Sequence, residues 1–278
     1  MKILVIGGGG REHTLVWKLV NDSTAPTVFC APGNAGTAEI AENINIGAED
    51  VDGLVEWAKE NRPDLTVVGP EAPLCAGVTD SFEAEGLRVF GPSQDAAMLE
   101  GSKRFSKEVM KAAGVPTAEF AVFTDADKAL EHIRSRPGAM VVKADGLAAG
   151  KGVFVCADAA EAENAVKTIM VDKSFGESGV EVVIEDCLVG EEASILALVD
   201  GENVLMLASS QDHKRVFNDD GGPNTGGMGA YSPAPVVTDD MWPTIREQVF
   251  ERLIKELKSR SITYKGVLYA GLMITDDG

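Results

Sequence analysis

Lys143 and Lys151 bracket a run of small residues, Ala144 to Gly152, that contains Gly146, Gly150 and Gly152. Backbone N–H groups in such a loop can turn toward one point, and a nest of that kind binds anions. With an ammonium group at each edge, a polyphosphate suits it. The G-x-x-x-x-G-K-[ST] phosphate loop does not fit. Gly146 and Gly150 stand one residue too close, Gly152 takes the Ser/Thr place, and an apolar run follows instead of a helix. The bland alternative is a flexible hairpin with solvated lysines.

A second chemistry-bearing stretch is Ser209 to Pro235, long, polar and glycine-rich, which interleaves Asp212, His213, Lys214 and Arg215 with glycines. It predicts an irregular ligand loop between strands, or else a disordered insert. A third is Gly7 to His13. A dinucleotide fingerprint fails there, because Glu12 or His13 stands where its last glycine belongs. No acidic residue closes the second strand, which runs into Ala31-Pro32-Gly33. A phosphate at the helix N-terminus, helped by Arg11, remains open. His13 is a ligand contact or a structural histidine.

The elements that must position these residues follow from hydrophobic period. Lys2 to Ile6, Thr27 to Cys30, Leu65 to Val68 and Arg88 to Phe90 predict strands. Between them, Arg11 to Val20, Val51 to Glu60 and Ala76 to Glu85 predict helices. This alternation implies a parallel, Rossmann-like α/β domain over residues 1–101, whose ligands bind at the carboxyl ends of the strands. Three loops meet there: Gly7 to His13, Pro32 to Thr37 and Gly69 to Leu74. Over 102–278 the pattern changes to α+β. Ser102 caps a helix Lys103 to Ala113 that stops at Gly114. A strand Phe120 to Phe123 and a helix Ala126 to Arg134 follow. Met140 to Cys156 is strand, glycine loop, strand. Asp158 to Glu161 opens a further helix with a capping-box pattern. Val180 to Glu185 is a strand, and Ala193 to Val199 and Val204 to Ala208 form a hairpin about Asp200-Gly201. Met241 to Lys258 is an amphipathic helix and Val267 to Thr275 a last strand. Asp276-Asp277-Gly278 is then a turn signal with no strand after it, so the chain is expected to be a piece of a longer protein.

Composition sets bounds. With 278 residues, 45% hydrophobic and a mean hydropathy near zero, the chain predicts a well-buried core in about two domains. A net charge of −19 argues against a general nucleic-acid or anionic-membrane binder. The four cysteines, Cys30, Cys75, Cys156 and Cys187, are far apart and sit in or near apolar runs, which predicts reduced thiols in a cytoplasmic protein.

Taken in order, GGGGREH (Gly7 to His13), PGNAGT (Pro32 to Thr37), VGPEAPL (Val68 to Leu74), VVKADGLAAGKGV (Val141 to Val153), GEEAS (Gly190 to Ser194), QDHKR (Gln211 to Arg215) and PNTGGMGAYSP (Pro223 to Pro233) resemble the glycinamide ribonucleotide synthetase (phosphoribosylamine–glycine ligase) family of the ATP-grasp superfamily. The resemblance implies a pre-ATP-grasp domain followed by an incomplete ATP-grasp domain, with a lid at about 120–188. It implies ATP-dependent joining of glycine to 5-phosphoribosylamine through an acyl phosphate, an early step of purine synthesis.

By resemblance, Lys103 and Lys143 contact ATP phosphates, and Gly146, Gly150, Lys151 and Gly152 cover them. Glu185, Cys187 and Leu188 are expected at adenine and Glu192 at the ribose. Asp212 and Lys214 are expected beside the reacting carboxylate and, with Lys143, to be the catalytic residues. Gly9, Arg11, His13, Asn34, Gly36, Thr37, Glu71 and Pro73 would meet phosphoribosylamine. Asn224, Gly226, Gly227, Met228 and Gly229 would form the glycine-rich substrate loop. The expected cofactors are ATP and Mg²⁺ (or Mn²⁺), with the family's metal ligands lying beyond residue 278. Only small-molecule partners are expected, with no nucleic acid or membrane, for a monomer.

Overall fold

The computed structural model describes residues 1–148, 152–218 and 221–276. The chain forms two compact units, Met1–Met98 with Ile262–Gly266, and Leu99–Ser261 with Val267–Gly278.

The first unit runs β1 (Lys2–Gly7), α1 (Gly10–Val20), β2 (Thr27–Pro32), β3 (Glu42–Asn43), α2 (Val51–Asn61), β4 (Leu65–Val68), α3 (Glu71–Cys75), α4 (Val78–Ala84), β5 (Val89–Phe90) and α5 (Gln94–Gly101). Its five strands lie in the order β3-β2-β1-β4-β5 and are all parallel. A strand buried on both faces reads as an unbroken apolar run, and β1 does. Leu4 and Ile6 pack with Leu54, Ala58 and Phe82 on one side. Ile3 and Val5 pack with Val16 and Val28 on the other. The strand order reverses between β1 and β4, which opens a crevice at their carboxyl ends.

The second unit runs α6 (Lys103–Ala113), β6 (Phe120–Phe123), α7 (Ala126–Ser135), β7 (Met140–Ala144), β8 (Val153–Cys156), α8 (Ala159–Val166), β9 (Val182–Asp186), β10 (Glu191–Asp200), β11 (Val204–Met206), β12 (Gln211–Phe217), β13 (Gly221–Tyr231), α9 (Met241–Ile245), α10 (Arg252–Ser259) and β14 (Lys265–Ile274). An antiparallel sheet β6-β9-β7-β8 packs its apolar face on α7 and α8 through Val142, Val182, Ile184, Ile133, Ala162 and Val166. A second sheet has the order β11-β10-β14.

Several expectations change. Ser209 to Pro235 is not an irregular loop, because most of it forms the antiparallel hairpin of β12 and β13, from Gln211↔Tyr231 to Phe217↔Gly221, with bulges between His213 and Phe217. Its glycines carry no side chain to show an alternation, and the backbone ladder joins the pair. The helix expected over Ala76 to Glu85 is α4, Val78–Ala84, which starts only after Gly77 turns to φ +85 and is set off by it from α3. Gly69 to Leu74 is partly helical, since α3 starts at Glu71. The helix from Met241 carries a π-type stretch at Arg246–Glu251 before α10. The last strand pairs with β10 and stands at the edge of its sheet among the described residues. All four cysteines are free thiols, but only Cys30 and Cys156 are buried. Burial pushes both of these up to about 11. No described helix is long and apolar enough to cross a membrane.

Candidate functional site

The glycine hairpin is tied to the start of α6. Ser102 caps α6, its hydroxyl accepting from Phe105 N at 3.0 Å. The same hydroxyl donates to Asp145, 3.0 Å from Oδ2, and Arg104 N donates to Asp145 Oδ1 at 2.8 Å. A carboxylate facing unpaired N–H groups at a helix N-terminus is favoured by charge as well as geometry. Lys103 Nζ donates to Gly146 O at 2.8 Å, and Ser178 Oγ to Leu147 O at 3.0 Å. The first half of the glycine loop is therefore tied to α6 through Lys103 and to Ser178. Gly152 is buried at the start of β8. Gly150 and Lys151 lie outside the described residues.

Below this loop sits Glu185 on β9, the residue opposite Val141 on β7. It is buried, not the surface carboxylate that a lone acid at a strand end suggests. Lys107 Nζ and Lys143 Nζ each stand 2.8 Å from one of its oxygens. Lys107 also donates to Thr117 Oγ1 at 2.7 Å. Burial lowers the Lys107 pKa below the usual lysine value despite Glu185. Burial also lowers that of Lys103, aided by the like charge of Lys143 and opposed by Asp145, Glu100 and Glu185. Three ammonium groups thus face one region. Cys187 and Leu188 follow β9 in an irregular segment, half-buried and exposed respectively.

A second cluster joins β10 and β12. Lys214 Nζ lies 2.6 Å from Glu192 Oε2 and 3.7 Å from Asp212 Oδ2. Burial works against the Lys214 charge, but Glu192 and Asp212 together raise its pKa. Thr225 Oγ1 donates to Lys214 O at 2.8 Å, which fastens β13 beside it. Asn224 pairs by backbone with Arg215, and Gly229 with His213. Gly226 and Gly227 lie in the same strand, where Gly227 N donates to Thr225 Oγ1 at 3.1 Å. Met228 is exposed.

In the first unit the three expected loops are cross-linked at the crevice. Asn34 Nδ2 donates to Gly8 O at 3.0 Å and reaches Gly9 O at 3.4 Å. Asn34 Oδ1 accepts from Gly36 N at 2.8 Å and Thr37 N at 3.0 Å. Arg11 Nη1 donates to Gly69 O at 2.7 Å and lies 3.6 Å from Glu71 Oε2. His13 lies against Gly36, where an added Cβ would fall 2.2 Å from its Cε1. Pro73 is buried in α3.

Sequence reasoning missed three residues here. Glu12 is buried and accepts from Gly9 N at 2.6 Å, and a Cβ on Gly69 would fall 2.2 Å from its Oε1. The acid thus explains why glycines surround it. Lys107 repeats Lys103 one turn on, a spacing visible in the sequence. Asp145 has no such signal, since its partner Ser102 is remote in the chain. Among the described residues, no group of three His, Cys, Asp or Glu side chains could hold a metal ion.

The family model for the phosphoribosylglycinamide synthetase N domain matches residues 1–100, and that for the ATP-grasp (A) domain of the same enzyme matches 101–278. The chain belongs to the phosphoribosylglycinamide synthetase family. The phosphoribosylamine–glycine ligase of Vibrio parahaemolyticus is 54% identical over 280 residues, covering 100% of this chain and 65% of the relative. The chain therefore spans about two thirds, by a small margin less, of the curated relatives' length. The crystal structure of the phosphoribosylamine–glycine ligase of Thermotoga maritima superposes with a TM-score of 0.84 at 32% identity, over 99% of this chain and 66% of that one. The biotin carboxylase domain of Hydrogenobacter thermophilus 2-oxoglutarate carboxylase, solved with MgADP, gives 0.76 at 18% identity over 100% and 61% of the two chains. That likeness shows the fold alone. It agrees with the family in giving the chain a parallel-sheet domain followed by ATP-grasp architecture.

Proposed function

We propose that this chain is the phosphoribosylamine-binding and ATP-binding part of an ATP-dependent ligase that makes glycinamide ribonucleotide. The observation that carries the reading is the lysine group under the glycine hairpin, in a chain matched end to end by the family's two domain models. Lys103 and Lys143 would neutralise ATP phosphates, with the segment from Glu185 to Leu188 at adenine and Glu192 at the ribose. The glycine hairpin would cover the phosphates. Asp212 and Lys214 would orient the reacting carboxylate beside the Asn224–Gly229 stretch of β13. Arg11 and the α1 N-terminus would hold the phosphate of phosphoribosylamine.

In this reaction the glycine carboxylate oxygen attacks the γ-phosphorus and ADP leaves. The ribosylamine nitrogen then attacks the acyl carbon, phosphate leaves, and the nitrogen loses a proton. Positioning and charge neutralisation supply such catalysis. Mg²⁺ is expected with ATP in this superfamily, but the described residues do not by themselves fit a resident metal ion.

The test is phosphate release from ATP and Mg²⁺ by this chain, with each substrate present or withheld. Release that needs both glycine and phosphoribosylamine supports the ligase. Release with bicarbonate in place of glycine points to another carboxylate–amine ligase. ATP binding without release marks a nucleotide-binding piece of the enzyme, and the absence of ATP binding contradicts the reading.

A further inference from the structure

Glu185 has two lysine partners where charge balance asks for one. The two differ. Lys107 is 8% exposed, and its ammonium is committed on three sides, to Glu185 Oε2 at 2.8 Å, Thr117 Oγ1 at 2.7 Å and Ala118 O at 3.5 Å. The ring of Phe120 lies 5.7 Å away, a further favourable contact for a cation. Lys143 is 25% exposed, stands at the start of the glycine hairpin, and has Glu185 as its one acidic partner among the described residues. Glu185 Oε1, which faces Lys143, receives no directed hydrogen bond.

We propose that Lys107 is a positioning residue: it holds Glu185 permanently, so that Lys143 can leave that carboxylate for a nucleotide phosphate. The idea rests on the ATP-binding reading above. A buried carboxylate stripped of its only cation is strongly disfavoured. With Lys107 in place, Lys143 can change partners and Glu185 stays paired. Without Lys107, Glu185 competes with the phosphate for Lys143, and the nucleotide must overcome that competition. A ligand shifts such an equilibrium only by its differential affinity for the two states. Lys107 therefore sets how readily Lys143 is released, though it need not touch the nucleotide.

The experiment is a double-mutant cycle read by calorimetric titration of ATP, using the whole chain with Lys107→Met, Glu185→Gln and the pair. Lys107→Met is expected to weaken ATP binding by about tenfold in the presence of Glu185. In the Glu185→Gln background the same change is expected to cost less than about threefold, because no carboxylate is left to trap Lys143. Equal losses in both backgrounds would mean that Lys107 contacts the nucleotide or acts only on the fold, and would overturn the proposal. So would no loss in either. Lys107→Arg keeps the charge and is the control if Lys107→Met does not fold; it is expected to stay within about threefold of wild type, and a tenfold loss would overturn the idea. Absent ATP binding by the wild-type chain would instead refute the underlying functional reading.

Discussion

Two acid–lysine clusters in the second unit have nearly the same contact distances and quite different surroundings. Lys107 and Lys143 stand 2.8 Å from Glu185, whose side chain is 6% exposed. Lys214 stands 2.6 Å from Glu192, whose side chain is 52% exposed. Distance alone would rank them together. Solvent separates them, because an exposed pair is screened and contributes little, whereas a buried pair becomes very costly when one partner is removed.

The largest expected effect follows from that asymmetry. Glu185→Ala leaves Lys107 buried without its counter-ion and is expected to lower unfolding free energy by about 3–5 kcal/mol, read from urea denaturation. A loss below about 1 kcal/mol would erase the distinction between the clusters. Next, Lys143→Ala is expected to weaken ATP binding by about 1.5–3 kcal/mol, the worth of a charge-assisted bond to phosphate. Unchanged affinity would remove Lys143 from the phosphate site. Arg11→Ala, in the first unit, is expected to spare ATP affinity and raise the apparent KM for phosphoribosylamine in an active enzyme. Lost ATP affinity would contradict the assignment of the two substrates to different units.

The smallest expected effect belongs to the exposed cluster. Glu192→Gln is expected to change stability by no more than about 1 kcal/mol, and less in high salt. The two clusters also predict opposite responses to alkali. The folded pKa of Lys214 is raised, so its stabilising contribution is whole below the usual 10.5 and is lost as pH climbs through the folded value. The folded pKa of Lys107 is lowered, so its cost is whole at neutral pH and is relieved as pH rises toward 10.5. Urea midpoints should therefore move wild type up relative to Lys107→Met as pH rises toward 10.5, and bring it closer to Lys214→Met only above 10.5. The same trend for both would break the contrast.

Local chemistry made much of the fold legible. β1, β4, α6 and the 140–156 hairpin stand close to where apolar period and caps place them, with Ser102 capping α6 and Gly114 closing it in a left-handed turn. The hairpin of β12 and β13 was not legible, because its glycines give no alternating pattern. The same holds for the site. Lys143 and the glycines declare themselves by type and spacing, whereas Lys103 is reached only through the family resemblance. Lys107 repeats the spacing of Lys103, but its role is hidden, since a lysine becomes a buried structural cation only when β9 brings Glu185 to it. Glu185 itself reads from the chain as an ordinary strand-end acid. Only the pairing of β9 with β7 and its approach to α6 turn it into the acid on which two lysines meet.

The most direct test of the account is a calorimetric titration of ATP into this chain and into its Lys143→Ala variant. The account predicts saturable binding by wild type and a dissociation constant raised by about tenfold or more in the variant. No binding by wild type, or matching isotherms for the two proteins, would contradict it.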